Sequence, residues 1–483
     1  MSKKPTFYIT TALPYVNGHP HIGHALEFVR ADIVARYHEL LGEEVFFNTG
    51  TDEHGQKIYQ KSIEEGIGPQ QYVDNSVKSF LELPGILHVR KDIHFIRTTD
   101  AYHIKAAQEF WKQCDANGYI YKKEYVIKYC VGCELEKTDS ELIDGKCPDH
   151  PTLEIQHIEE ENYFFRFSAF QEKLLALYKE QPTFVFPANR LGEIRSFVEG
   201  GLQDFSISRL KEKMSWGVEV PGDPDQVMYV WFDALVNYVS AVGWPTDMAT
   251  FEKWWPVVQY AGKDNLRQQS AMWQAMLMSV GLPPSHQIVI NGFVMSGGKK
   301  MSKTVGNVVD PVEVINEYGA EAFRYYIARE LHSFEDSDFT YERFKESYNA
   351  NLANGLGNLV SRTLKMATMY GVEVTLPTKN ELFIREKLPT EYIDGFDSYD
   401  LVKSIDFIWK QVGELDQFIA TTEPFKKIKV DEEGAKKDVG HLLTELWSIA
   451  VILEPFMPQT ALRIQALITN KVVPDAPLFL RKD

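Results

Sequence analysis

From Ile22 onward the apolar residues fall at Ile22, Leu26, Val29, Ile33, Tyr37 and Leu40. Steps of four, three, four, four and three trace one face of an α-helix, and Gly42 closes it. Phe7 to Leu13 is a short apolar run that predicts a buried strand, and Val45 to Phe47 predicts another, running into "NTGTDEHG". Strand, glycine-bearing loop, helix, strand is the opening of a parallel α/β sheet. Ligands of such sheets sit beyond the carboxyl ends of the strands. The histidine loop "NGHPHIGH" and the Asp52 loop are both expected there, facing one crevice.

Between residues 116 and 225 the pattern breaks into short β-like runs, turns and acidic stretches. A second α/β portion follows, with "VMYVWFDAL", the helical "NLRQQSAMWQAMLMSV" and the strand-like "QIVINGFV". Beyond about 340 the chain reads as all-helical, with Phe344, Tyr348, Leu352, Leu356 and Leu359 forming one stripe and further helices near 400–420 and 436–467. No repeat and no low-complexity tract interrupts it. The expected fold is α/β: a Rossmann-like parallel-sheet catalytic domain split by an insertion, then an α-helical bundle. Its boundaries are residues 1–115 and 226–325 for the two halves, 116–225 for the insertion, 326–345 for a linking segment and 346–483 for the bundle.

A chain of 483 residues exceeds one hydrophobic core, which agrees with that division. The best membrane-span candidate, Ile449 to Leu467, is broken by Glu454, Pro455, Pro458 and Arg463, and the N-terminus lacks a signal-peptide cleavage site. A soluble, cytoplasmic protein with no membrane partner is expected. A net charge of −17 excludes a protein that coats nucleic acid non-specifically, but leaves room for docking through a local basic patch.

His21-Ile22-Gly23-His24 puts two imidazoles at a helix start. They read as a turn-capping pair, as metal ligands, or as phosphate donors. The i,i+3 spacing is weak for a metal. Free N–H groups at a helix N-terminus favour an anion, and Gly23 permits close approach. A distant stretch, "MSGGKKMSKTVGN", strengthens the phosphate reading: Gly297-Gly298 reads as a flexible joint, and Lys299, Lys300 and Lys303 carry charge with no acid between them. A basic loop of this kind is commonly only a solvated surface. Attack on an α-phosphate, however, builds charge that such donors meet in the transition state.

"HIGH" at 21–24 and "KMSKT" at 300–304 resemble the paired signatures of class I aminoacyl-tRNA synthetases. The segments "ALPYVNG", "TGTDEHG", "SISR" and "YVWFDALVNY" resemble the methionyl-tRNA synthetase family in particular, in order and over nearly the whole chain. The resemblance implies ATP-dependent activation of methionine and its transfer to tRNA(Met). It implies that His21, Gly23, His24, Asp264, Lys300 and Lys303 hold ATP with Mg2+, and that His21, His24, Lys300 and Lys303 are catalytic. Thr304 stands where the family usually has serine and keeps a hydroxyl.

A methionine side chain is unbranched, polarizable and apolar, so an aromatic cage suits it. Tyr15, Trp231 and Tyr238 match the family's aromatic positions, with Leu13, Ala234 and Leu235 beside them; each alone reads equally as core. Asp52, at a strand end, suits the substrate ammonium, and Arg209 of "SISR" matches a residue near the same site. Two departures are Gln269 and Asn291, where many members have histidine. Gln269 can still donate or accept.

Cys130-x2-Cys133 and Cys147-x2-His150 form a knuckle pattern: three thiolates and one imidazole close a tetrahedral site with no open position. One structural Zn2+ is expected, a role the family's knuckle supports, with Cys114 a buried thiol outside it. In the helical part Asn351, Asn354, Asn358 and Arg362 make a polar stripe suited to unstacked bases or simply to solvent. The resemblance singles out Asn358, Arg362 and Phe425, the last in place of the usual tryptophan, as anticodon readers.

The leucine, isoleucine and valine enzymes carry a much larger insertion, and a cysteine enzyme would want metal in the crevice. A non-catalytic tRNA-binding relative is the alternative from another class. With no appended module visible, a monomer is expected.

Overall fold

The computed structural model describes residues 4–133, 135–137, 141–301 and 307–483. Strand β1 (Thr6–Thr11), helix α1 (Ile22–Leu40) and strand β2 (Glu44–Thr51) follow in the expected order. β2 runs four residues beyond the predicted apolar core. Its polar half pairs with β3 (His94–Arg97), Asn48 opposite His94 and Thr51 opposite Arg97. The polar side chains find partners inside the sheet: Thr11 and Thr49 hydroxyls meet at 2.6 Å, and His94 Nδ1 lies 2.7 Å from Asn48 Oδ1. Gly50 is required there, because a Cβ would stand 1.8 Å from the Ile96 carbonyl oxygen.

The main sheet has six parallel strands in the order β3, β2, β1, Val258–Gly262, Gln287–Asn291 and Val185–Phe186. The order reverses between β1 and Val258–Gly262, so the crevice at this switch lies beyond their carboxyl ends. Four loops leave that edge: residues 12–21, 52–55, 263–267 and 292–293. The segment between the halves builds an antiparallel ribbon, Ile120–Cys130 against Gln156–Phe165, flanked by Leu135–Glu136 and Phe205–Ser206. It also supplies Val185–Phe186 to the main sheet.

From Tyr341 the structure is helical, with long helices at Asn358–Tyr370, Leu401–Thr422, Glu432–Leu453 and Pro458–Asn470. The stripe Phe344, Tyr348, Leu352, Leu356 and Leu359 is buried throughout. Its repeated steps of four coincide with a π-helix at Tyr348–Gly357, whose wider turn suits that spacing. Among the described residues no helix is long and apolar enough to cross a membrane.

Helix α1 joins the two parts. Tyr37 stacks on Phe396, centroids 3.9 Å apart. Asp32 and Arg324, both fully buried, pair at 2.7 Å. Arg324 also donates to the Phe456 carbonyl at 2.8 Å and to the Pro455 carbonyl at 3.0 Å, at the turn between the last two long helices. Asp32 takes two more donors, Arg36 Nε at 2.7 Å and the Arg90 amide at 2.9 Å. Two residues before Asp32, Arg30 donates to the carbonyls of Leu331, His332 and Ser333.

Removing one partner of a buried ion pair strands the other, at a typical loss of about 3–5 kcal/mol. Arg324→Met should lower unfolding stability by that order in a urea titration. The double variant Arg324→Met/Asp32→Leu should recover much of the loss. Equal stability of the single variant and the wild type would contradict this.

Candidate active site and metal centre

The loop after β1 ends in His21, the N-cap of α1. His21 Nδ1 accepts the Gly23 amide at 3.1 Å, and His24 Nδ1 accepts the His21 amide at 3.2 Å. The rings stack, centroids 3.7 Å apart. The remaining amides of the first turn are also engaged, Ile22 with the Val309 carbonyl and His24 and Ala25 with the His21 carbonyl. The expectation of free N–H groups there is therefore corrected: the helix start is capped, and the imidazoles stand in front of it. An Nδ1 that accepts leaves the proton of the neutral ring on Nε2, so both rings carry an N–H donor on the far side. A Cβ at Gly23 would fall 2.9 Å from His21 Cε1, which is why the turn holds glycine.

Asp52 follows β2 and bridges to Tyr15 across the crevice: the Asp52 amide donates to the Pro14 carbonyl at 2.9 Å. Tyr15 meets Trp231 edge to face at 6.4 Å, and Lys57 lies 5.7 Å over the Tyr15 ring. The indole N–H of Trp231 is buried without a hydrogen-bond partner. Leu13, Tyr15, Asp52 and Trp231 thus belong to adjoining loops and a helix start. Ala234, Leu235 and Tyr238 are buried on the helical turns after Trp231. Arg209 stands apart from these: its guanidinium is held by Ser206 Oγ at 2.9 Å and the Ser208 carbonyl at 2.6 Å, between the Tyr129 and Tyr229 rings.

The two departures have structural partners. Gln269, in a π-turn at Gln268–Met272, donates to Tyr238 Oη at 2.7 Å and accepts from Gln259 Nε2 at 2.9 Å. Asn291 accepts from Arg30 Nη1 at 2.9 Å.

Several residues went unread in the sequence. Glu27, one turn past His24, shares the space over Gly262 with Asp264: a Cβ there would lie 2.7 Å from Asp264 Oδ1 and 3.6 Å from Glu27 Oε1. Burial, together with the Asp264 charge, pushes the Glu27 carboxyl up to about 8. Glu27 lies off the apolar stripe of α1, so the helical period gave no signal for it. Asp233 is wholly buried between His54, at 2.9 Å, and His103, at 3.5 Å. Burial raises its carboxyl, but the two imidazoles outweigh this and hold it below the usual carboxylate range. This contact ties the Asp52 loop to the Trp231 helix.

The Gly297-Gly298 pair forms a hairpin turn. Both glycines have positive φ (60° and 70°), which a two-residue hairpin demands, and the Gly298 amide donates to Asp338 Oδ1 at 2.9 Å. Lys300 lies on its return strand; its side chain, Lys303 and Thr304 lie outside the described residues.

Cys130, Cys133, Cys147 and His150 converge, their donor atoms all within 4.8 Å of one another, and could hold a metal ion. All three thiols are free, and Cys133 Sγ lies 3.2 Å from His150 Nδ1. Gly132 lets the His150 ring in, since a Cβ would stand 2.3 Å from it. Two ties bind this knuckle to the crevice: Lys57 Nζ donates to the Gly132 carbonyl at 2.5 Å, and Arg267 pairs with Glu141 at 2.6 Å. Cys114 lies elsewhere, buried, with its thiol 2.9 Å from Ser279 Oγ.

The chain matches the family of "tRNA synthetases class I (M)" over residues 7–156 and 149–364. It is 40% identical to the methionine–tRNA ligase of Caldanaerobacter subterraneus over 95% of this chain and 73% of that protein. With the corresponding ligase of Thermotoga maritima it shares 39% over 94% of this chain and 74% of that one. The solved structure of Mycobacterium tuberculosis methionyl-tRNA synthetase in complex with methionyl-adenylate superposes with a TM-score of 0.87 at 33% identity, covering 99% of both chains. This chain belongs to the methionyl-tRNA synthetase family.

The helical bundle carries the remaining residues that the family resemblance singled out. Asn358 is exposed, and Arg362 Nη1 lies 3.7 Å from Asp416 Oδ1. Phe425 is 43% exposed, so it is a surface ring and not a core contact. Asn351 leaves the polar stripe, its amide donating to the Ser347 carbonyl at 3.2 Å.

Two measurements test this site. Gly132→Ala removes no ligand but crowds His150, so metal content per chain should fall and proteolysis near residues 130–150 should quicken; unchanged metal content would contradict the cradle. The folded chain keeps Glu27 protonated up to about pH 8, whereas the unfolded chain ionises it near the ordinary glutamate value. The folded state then binds the extra proton between those values, and its stability falls as pH rises through them. Glu27→Gln should flatten that part of the stability–pH curve, and a curve parallel to wild type would contradict the assignment.

Proposed function

We propose that the protein activates L-methionine with ATP to methionyl-adenylate and transfers the methionyl group to tRNA(Met), in the cytoplasm. One observation carries the reading: the strand ends of a single sheet bring the His21–His24 cap, Asp264, Asp52 and the Tyr15–Trp231 pair to one edge. They do so in a chain that superposes end to end on a relative bound to that adenylate.

A methionine carboxylate oxygen attacks the α-phosphorus of Mg2+-bound ATP, the bond to the bridging oxygen breaks, and pyrophosphate leaves. The Nε2–H groups of His21 and His24 donate to phosphate oxygens, with Gly23 leaving room and Asp264 on the nucleotide side. Lys300 and Lys303 meet the negative charge that grows on the leaving group. Asp52 pairs with the ammonium, Arg209 lies at the edge of the amino-acid site, and Leu13, Tyr15, Trp231, Ala234, Leu235 and Tyr238 enclose the thioether. A terminal ribose hydroxyl of tRNA then attacks the carbonyl carbon and AMP departs. Asn358, Arg362 and Phe425 read the anticodon. The three thiolates and one imidazole suit Zn2+, which would hold the knuckle folded and take no part in the chemistry.

Amino-acid-dependent ATP–pyrophosphate exchange tests this. Exchange should appear with methionine and not with leucine, isoleucine, valine or cysteine; another preferred amino acid would overturn the specificity, and none at all the activity. His24→Asn should slow exchange by about 100-fold, the usual loss of one transition-state donor, with the methionine KM little changed.

A further inference from the structure

Asp52 and Trp231 sit on two separate and short elements, the loop between β2 and the helix that starts at Gln56, and the helix Val230–Ala234. Neither is long enough to fix its own orientation. Three consecutive residues of the loop are tied in three directions. The Asp52 backbone is clamped to the first loop, its amide to the Pro14 carbonyl at 2.9 Å and its carbonyl to the Val16 amide at 3.4 Å. The wholly buried Glu53 carboxylate takes Arg97 at 2.7 Å, Thr51 at 2.8 Å and Thr99 at 2.5 Å, which anchors the loop to the β3 edge. His54 turns the third way, its Nδ1 2.9 Å from Asp233 Oδ2. An ionised carboxylate only accepts, so the imidazole donates.

Asp233 stands two residues after Trp231, which is about 200° around a helix. It holds the turn from the side opposite the indole, so the direction in which it is pinned sets the direction in which the ring faces. From behind, His103 of the helix Ala101–Ala116 brings Nε2 to 3.5 Å from Asp233 Oδ1. Its Nδ1 lies 3.0 Å from Ser240 Oγ, on the turn that carries Tyr238. All three members of the cluster are buried. An apolar trio of the same volume would avoid their desolvation cost, but would lack their directionality. We infer that His54, Asp233 and His103 are positioning residues: they set the spacing between the Asp52 carboxylate and the Trp231–Tyr238 cage, and thereby the affinity for methionine. The inference rests on the methionine-activation reading above.

Two amides separate this role from a merely structural one. The asparagine amide nitrogen overlays imidazole Nδ1 and keeps the bond to Asp233, whereas that of glutamine overlays Nε2 and misses it. Methionine-dependent ATP–pyrophosphate exchange by the wild-type enzyme is measured first; its absence would overturn the function and the inference together. With exchange established, His54→Gln should raise the methionine KM about 20-fold, with kcat and the ATP KM within about two-fold of wild type. His54→Asn should restore the methionine KM to within about three-fold of wild type. Methioninol and its desamino analogue, as competitive inhibitors, report whether the two ends of the ligand engage together. The penalty for losing the amino group should be about five-fold smaller in His54→Gln than in wild type. Equal methionine KM in both variants, raised or not, would mean that the bond to Asp233 does not act. A parallel loss of kcat or of ATP affinity would mean a general structural role, and an unchanged amino-group penalty would mean no coupling. Each of these results overturns the proposal.

Discussion

The buried pairing of Asp32 with Arg324 is the constraint on which the remaining geometry depends. Two charges removed from water are tolerated only when every donor and acceptor is met. Here the guanidinium reaches the Asp32 carboxylate and the carbonyls of Pro455 and Phe456, while Asp32 takes further bonds from Arg36 and the Arg90 amide. Burial lowers the Arg324 pKa, and the Asp32 charge opposes this. Such a set of bonds closes in one arrangement only. It therefore fixes how the helical bundle sits on α1, and α1 begins at His21. Arg30, whose own pKa burial lowers to about 10, extends the same fixation to residues 331–333.

The crevice itself is assembled from pieces with little claim to stability of their own. Its loops come from separate strands, and polar contacts hold them in register: the Asp52 amide with the Pro14 carbonyl, and the side chains of Asp233 with His54 and of Gln269 with Tyr238. The knuckle works on the same principle. It has few apolar residues to bury, so its four converging ligands stand in for a core, and Lys57 and Arg267 carry that rigidity to the crevice. The histidine pair shows the economy most directly: one nitrogen of each ring satisfies the helix start, and this leaves the proton on the other.

What could be read from the chain alone follows from how local each signal is. The period of α1, the knuckle spacing and the bundle stripe are written within a few turns, and the structure keeps them. The polar half of β2 was missed because Asn48 and Thr49 are paired by residues far off in sequence, so no alternation marks them. Val185–Phe186 is two residues long, too short for any period, yet it completes the main sheet. The helix-start amides were expected to be open because a sequence does not show which imidazole nitrogen turns inward. Glu27 was an ordinary charged residue until folding set it beside Asp264.

Helix α1 has 19 residues, with the histidine cap at its first turn and Arg30, Asp32 and Tyr37 committed farther along. Each residue added to a helix rotates everything beyond it by about 100° and advances it about 1.5 Å. A single insertion or deletion between His24 and Arg30 would thus turn either the imidazoles out of the crevice or Asp32 away from Arg324. Side chains along the apolar face can be exchanged for others of similar volume, but the length of this segment cannot drift. Among sequences related to this one, the count of residues from the first histidine to the buried aspartate should be the quantity that tolerates no change.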